Sequence, residues 1–408
     1  MRRRACLAAA AVLLTASACS STTSTGRVTP SPSSQGASTR HSSPRPATSP
    51  RSTATTTTST TPPPTTSLAR RVLARMSEAQ RVGQLFMVDC PSTGLGAAAV
   101  TAVGTYHVGS VILDGTSQLS AEQTATIAAQ LQTRAPAQAG LFVATDQEGG
   151  QVQRLQGPGF SAIPSALQQG AVAPATLRAE AQQWGAELRA AGVNVDLGPV
   201  LDTVPANFGS NPPIGDLDRE YGHDPASVSS HGNAVAQGLA AAGVDATVKH
   251  FPGLGRVSGN TDLTTGVLDR VTTRHDPYLA PFAAAIRDGV AFVMMSTAIY
   301  TRIDPDRPAA FSPAIVTGML RGDLHFRGVI ISDDLGVSKQ VSGLSVGERA
   351  VAFIAAGGDV VLTVDALQAP EMTAAVLARA KSDPKFKAQV AAAALVVLQA
   401  KQARGLLH

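Results

Sequence analysis

The feature that most constrains this chain is an alternation repeated eight times. A short apolar run ends in polar, Gly- or Pro-containing residues, and before most of the following runs comes an Ala-rich stretch with Leu, Gln, Glu and Arg. The apolar runs cover residues 83–89, 110–114, 141–145, 193–197, 246–249, 291–296, 328–332 and 359–364. Their length and near-continuous apolar character are those of strands covered on both faces. Helical stretches at 122–133, 174–191, 227–242, 281–288, 312–321 and 346–356 separate them. Strands alternating with helices predict a parallel sheet, and eight such units predict a (β/α)8 barrel of the TIM type, an α/β fold. The alternative, an open doubly wound sheet, usually carries a Gly-rich dinucleotide turn after an early strand, which Gly149-Gly150 does not supply. A first helix is expected over 68–81, with Ser77 starting its second half. Phe386, Val390, Ala393, Leu395, Val397 and Leu398 place a packing helix over 383–402.

Ahead of the barrel the composition changes. Arg2 to Arg4 form a basic start, Ala5 to Thr15 an apolar core, and Ala16-Ser17-Ala18 a small-residue site before Cys19. Residues 1–19 therefore read as a secretion signal, with an apolar core too short for a permanent membrane span. Cys19 resembles the lipid-bearing Cys of a bacterial lipoprotein, although Ala16 stands where Leu is usual. Residues 20–67 are almost wholly Ser, Thr, Pro, Gly and Ala with scattered Arg. Such a stretch cannot bury enough apolar surface to order itself, and a flexible tether of this length spans roughly 35 to 40 Å.

The basic pI points to an anionic partner until the charge is located. The first 67 residues hold seven of the 33 basic residues and none of the 29 acidic ones, leaving 26 basic against 29 acidic, or −3, for residues 68–408. A nucleic-acid role loses its electrostatic support. Of the three cysteines, Cys6 and Cys19 lie in the leader and only Cys90 in the barrel region, so no disulfide is expected there.

Polar residues immediately after the strands carry the chemistry, because catalytic groups in such barrels come from the C-terminal strand ends. Asp146-Gln147-Glu148-Gly149-Gly150-Gln151-Val152-Gln153-Arg154 follows strand three, and Gly198-Pro199-Val200-Leu201-Asp202 follows strand four. Strand five ends in Lys249-His250-Phe251-Pro252-Gly253, and strand seven in Asp333-Asp334. Singly, each has a structural reading: Asp202 can brace the mouth, and Asp334, beside Asp333, can be structural. Together they put several charges at one pole, which is costly without a ligand or mutual pairing.

These four motifs, with Asp218-Arg219-Glu220-Tyr221-Gly222-His223-Asp224-Pro225, resemble the successive motifs of family 3 glycoside hydrolases, most closely the bacterial β-N-acetylglucosaminidases that trim cell-wall fragments. The resemblance runs in order from about Met76 to Val364, with Glu220 where the family pattern has Ser. It implies that Asp333 is the nucleophile that forms a glycosyl-enzyme. It also implies that Asp146 accepts hydrogen bonds from sugar hydroxyls, and that Arg154, Arg219, Lys249 and His250 donate around the same sugar. No metal or other cofactor is expected.

The proton donor departs from the pattern. Where that branch usually has His-Gly and then Asp-Ser-His, this chain has Leu254-Gly255 and then Asn260-Thr261-Asp262. Three readings are open: Asp262 is the acid/base, restoring the two-carboxylate arrangement of retaining glycosidases; the domain binds sugar but hydrolyses it poorly; or His223 reaches in. Gly253, Gly255, Gly259 and Gly266 flank the loop and predict mobility, while a purely structural Asp262 would cap Thr264 or Thr265. With no later domain expected, an acid must come from a barrel loop. The expectation is an exported, lipid-anchored, monomeric, exo-acting retaining β-N-acetylglucosaminidase of peptidoglycan-derived fragments. The alternatives are a non-catalytic muropeptide-binding lipoprotein and a β-glucosidase-type member of the family.

Overall fold

The computed structural model describes residues 67–408. The leader with Cys19, and the tether up to residue 66, lie outside the described residues. Among those described, no helix is long and apolar enough to cross a membrane.

Eight parallel strands close a barrel in chain order: β1 (Phe86–Pro91), β2 (Ser110–Asp114), β3 (Phe142–Thr145), β4 (Val195–Asp196), β5 (Asp245–Phe251), β6 (Phe292–Met295), β7 (Val329–Asp334) and β8 (Val360–Thr363). Closure comes from β1 pairing with β8, with Phe86 opposite Val361 and Val88 opposite Thr363. Each strand lies within two or three residues of its predicted run. The expected (β/α)8 barrel is the observed one, and no open-sheet edge remains.

Apolar side chains from seven of the eight strands, all but β5, fill the interior, including Met87, Ile112, Phe142, Val195, Phe292, Met294, Val329, Ile331 and Leu362. The rings of Phe142 and Phe292 meet edge to face at 5.2 Å. Each such fully buried apolar side chain contributes about 1.5–3 kcal/mol relative to exposure.

The expected tail helix forms over Pro384–Ala403 and closes the end of the barrel opposite the strand C-termini. Val397 joins the interior cluster itself. One turn on, Lys401 is fully buried, donating to Gln84 Oε1 at 2.6 Å and the Gly109 carbonyl at 2.8 Å, with its ammonium over the Phe142 ring. Burial lowers its pKa to about 7. Arg404 pairs with Asp245 at the start of β5.

Two helical predictions differ in detail. The segment over 68–81 is two helices, Leu68–Arg75 and Glu78–Gly83, because Ser77 and Gln80 form a reciprocal capping box that starts a new one. The segment over 312–321 is a π-helix, Ala314–Asp323, whose Leu324 N–H bonds back five residues to the Met319 carbonyl.

Candidate active site

The strand C-termini surround a cavity of about 310 Å³. Asp146, Arg154, Arg219, Lys249, His250, Asp262 and Asp333 all line it. The structure thus brings every one of the site residues named from the barrel sequence into one mouth. Cys19 lies outside the described residues.

Beyond β3 the chain turns back on itself as a short antiparallel hairpin, Gln147–Gly149 against Val152–Gln153. The turn uses Gly149 and Gly150 in left-handed conformation, and a β-carbon on Gly149 would sit 2.2 Å from the Pro164 carbonyl oxygen. Glycine is therefore required there. The hairpin returns Arg154 to the mouth, its backbone N–H on the Asp146 carbonyl and its Nε 3.3 Å from Asp114.

Asp146 and Glu148, two residues apart on extended backbone, share a face. Both reach Lys249 at the end of β5: Nζ lies 2.6 Å from Asp146 Oδ1 and 2.6 Å from Glu148 Oε1. Arg219 completes the cluster, giving Glu148 two parallel hydrogen bonds of 2.8 and 2.7 Å and the Pro213 carbonyl a third. Burial alone would raise the Glu148 pKa, but Arg219 and Lys249 hold it well below the usual carboxylate range. Likewise, burial would lower that of Lys249, yet Asp146 and Glu148 raise it. Beneath them, Asp196 accepts the Gln147 N–H at 3.1 Å, and burial pushes its pKa up to about 7.

Lys249 and Arg219 are therefore not the loosely held donors that a sugar-binding role alone implies. Each is first committed to Glu148, a buried residue that motif reading passed over.

Asp202 is fully buried and braces the mouth as expected. One oxygen accepts the backbone N–H groups of His250 and Leu254, at 3.1 and 2.8 Å, and the other meets His250 Nδ1 at 2.7 Å. That leaves Nε2 as the ring nitrogen His250 can offer to a ligand. Asp334 is equally structural, its carboxylate accepting four backbone N–H groups, from Gly336, Val337, Ser338 and Val364. It leaves Asp333, the preceding residue, with one side-chain hydrogen bond among the described residues, from its own neighbour's N–H at 2.9 Å.

Asp262 sits across from that pair. Its side chain retains solvent exposure at the rim, and its carboxylate has no hydrogen-bond partner among the described residues. The surrounding protein atoms, followed by the charges of Asp333 and Asp334, push its pKa up to about 7. The capping role belongs instead to Asn260, whose side chain accepts the Asp262 N–H and whose carbonyl takes the Thr264 N–H and hydroxyl. His223 is not part of the cavity. Asp224 caps the helix Pro225–Ala242, leaving His223 outside its first turn with Nδ1 on the Val204 carbonyl.

One of the four glycines flanking the loop has a packing reason of its own. A β-carbon on Gly255 would lie 1.9 Å from the Thr203 carbonyl oxygen, so this glycine permits close packing. Asn211, fully buried, donates to the Leu254 and Val257 carbonyls, and Tyr300 donates to that of Gly253. Arg256 pairs with Asp276 and lies over the Tyr278 ring.

Comparison with known proteins agrees with this geometry. Residues 78–399 match the model of the glycosyl hydrolase family 3 N-terminal domain. A β-hexosaminidase of Xanthomonas campestris pv. campestris (strain B100) is 37% identical over 265 residues, 62% of this chain and 76% of that protein. Among solved structures, a β-N-acetylhexosaminidase from Beutenbergia cavernae DSM 12333 is 50% identical, with a TM-score of 0.79 over 81% of this chain and 99% of its own. A family 3 β-N-acetylglucosaminidase from Paenibacillus sp. str. FPU-7 is 31% identical, with a TM-score of 0.74 over 81% of this chain and 63% of its own. With the barrel, the two facing carboxylates and these relatives in hand, the chain belongs to glycoside hydrolase family 3 and is a glycoside hydrolase.

Proposed function

We propose that this enzyme is an exo-acting, retaining β-N-acetylglucosaminidase in which Asp333 attacks the anomeric carbon and Asp262 first protonates the leaving oxygen, then activates water. The observation that carries the assignment of roles is the contrast between these two carboxylates in one cavity. Asp334 carries the structural hydrogen bonds next to Asp333, while the Asp262 carboxylate has no hydrogen-bond partner among the described residues and a pKa raised to about 7. Asp146, Arg154, His250 and the remaining N–H groups of Lys249 and Arg219 hold the terminal sugar.

The preferred substrates in this reading are peptidoglycan-derived fragments ending in β-linked N-acetylglucosamine. The protein acts as an exported monomer anchored through a lipid on Cys19, supported by the basic start, the short apolar core and the small-residue site ahead of that cysteine. The test is hydrolysis of 4-nitrophenyl β-N-acetylglucosaminide and β-glucoside, with the product anomer followed by NMR and with disaccharide-peptide fragments as natural substrates. Release of β-configured N-acetylglucosamine from the first and last is expected. An initial α-product, or faster glucoside hydrolysis, would refute the mechanism or the substrate class respectively.

A further inference from the structure

The loop that carries Asp262 is tied to the loop that follows Asp333 by a compact set of bonds. Leaving β7, three N–H groups on the Asp334 carboxylate, from Gly336, Val337 and Ser338, fix a tight turn through Ser338. From that turn, the Ser338 hydroxyl donates to the Thr261 carbonyl at 2.8 Å and the Gln340 N–H to the same oxygen at 3.0 Å. The Lys339 N–H donates to the Asp262 carbonyl at 3.2 Å. The Gln340 side chain grips the far end of the loop, accepting the Val267 N–H at 2.9 Å and donating to its carbonyl at 3.4 Å. The backbone on either side of Asp262 is thus held while its carboxylate is bonded to nothing.

From this we infer that Ser338 and Gln340 are positioning residues that set where the proton donor stands relative to the nucleophile. The inference rests on the reading of Asp262 as acid/base and adds what fixes it. Asp333 and the clamp lie on one short stretch, so the separation of the two carboxylates is built into a single turn. A misplacement of about 1 Å costs on the order of 10²-fold in rate when geometry is this demanding. Loosening the clamp should also weaken the influences that raise the Asp262 pKa, the surrounding protein and the charge of Asp333, both of which depend on its position.

The experiment compares kcat/KM for methyl β-N-acetylglucosaminide, whose leaving group needs a proton, with that for the 4-nitrophenyl glycoside, whose leaving group needs little help. The ratio of the two is independent of the folded fraction of a variant. In the doubly substituted Ser338→Ala, Gln340→Ala enzyme, the methyl-glycoside value is expected to fall on the order of 10²-fold further than the nitrophenyl value. The alkaline limb of its pH profile should also move to lower pH, and Ser338→Thr alone, which keeps the hydroxyl, should retain the wild-type ratio. An unchanged ratio with an unmoved limb overturns the inference. Asp262→Ala is measured alongside: if it shows the leaving-group dependence and the clamp variant does not, the clamp fails alone. If Asp262→Ala also lacks the dependence, both the acid/base reading and the clamp fall together.

Discussion

On the wall built by β3 and β5, two carboxylates and two cations neutralise one another. Asp146 and Glu148 face Lys249 and Arg219, each ion within 2.8 Å of a counter-ion. Across the cavity, on the wall built by β7 and the loop after β5, Asp262, Asp333 and Asp334 form no ion pair among the described residues. The two walls give opposite results: Arg219 and Lys249 depress the pKa of the buried Glu148, whereas the surrounding protein and the charges of Asp333 and Asp334 raise that of Asp262. Compensated charge makes a rigid frame that can hydrogen-bond a neutral sugar at fixed positions. Uncompensated carboxylates, held close, are driven to differ in protonation, which is the asymmetry that a nucleophile and an acid need.

Breaking the uncompensated wall has the larger effect on rate. Asp333→Ala removes the carboxylate read as the nucleophile, which lines the cavity beside the structurally committed Asp334, and a loss on the order of 10⁴-fold or more in kcat is expected. Steady-state kinetics with an unchanged thermal melt would check it, and more than about a tenth of wild-type kcat would move the nucleophile elsewhere. Breaking the compensated wall should instead cost stability. Glu148→Gln leaves the buried Arg219 without its counter-ion and Lys249 with Asp146 alone, with an expected loss of about 3–5 kcal/mol. Urea unfolding should show a lower midpoint at unchanged slope, and an unaltered midpoint would mean that the cations find other partners.

The smallest effect sharpens the comparison. The acid form of Asp262 is present below its raised pKa and lost as pH rises through about 7. For the methyl glycoside, kcat/KM should therefore fall about tenfold per pH unit above that point. Asp262→Asn should lack this limb, whereas a limb kept by the variant would assign it to another group.

The barrel could be read from the chain because parallel strands covered on both faces leave uninterrupted apolar runs, and each run ended where a polar motif began. The mouth could be read for the same reason, as the strand ends deliver their residues to one place. Glu148 was the omission, although a signal existed. It stands two positions after Asp146 on extended backbone, so it had to share that face, and Lys249 had room for a second anion. The close packing at Gly255 could not be read, because a glycine looks the same in sequence whether it permits motion or close approach, and only the Thr203 carbonyl against Gly255 shows the latter. The clamp left no signature either. Ser338 and Gln340 act largely on backbone carbonyls of a distant loop, which carry no side-chain identity.

The tail helix adds a constraint on order in time. Val397 completes an interior that Met87 and Phe142 begin, and Lys401 reaches Gln84 and Gly109 from the same helix. Nascent chain emerging from its N-terminal side can pair early strands, but the interior stays open until the segment beyond β8 has been made. Sealing it then joins residues from nearly opposite ends of the barrel sequence, the kind of contact that forms slowly. Acquisition of the native core is thereby deferred to a late step, and the half-made barrel is the species a chaperone would meet.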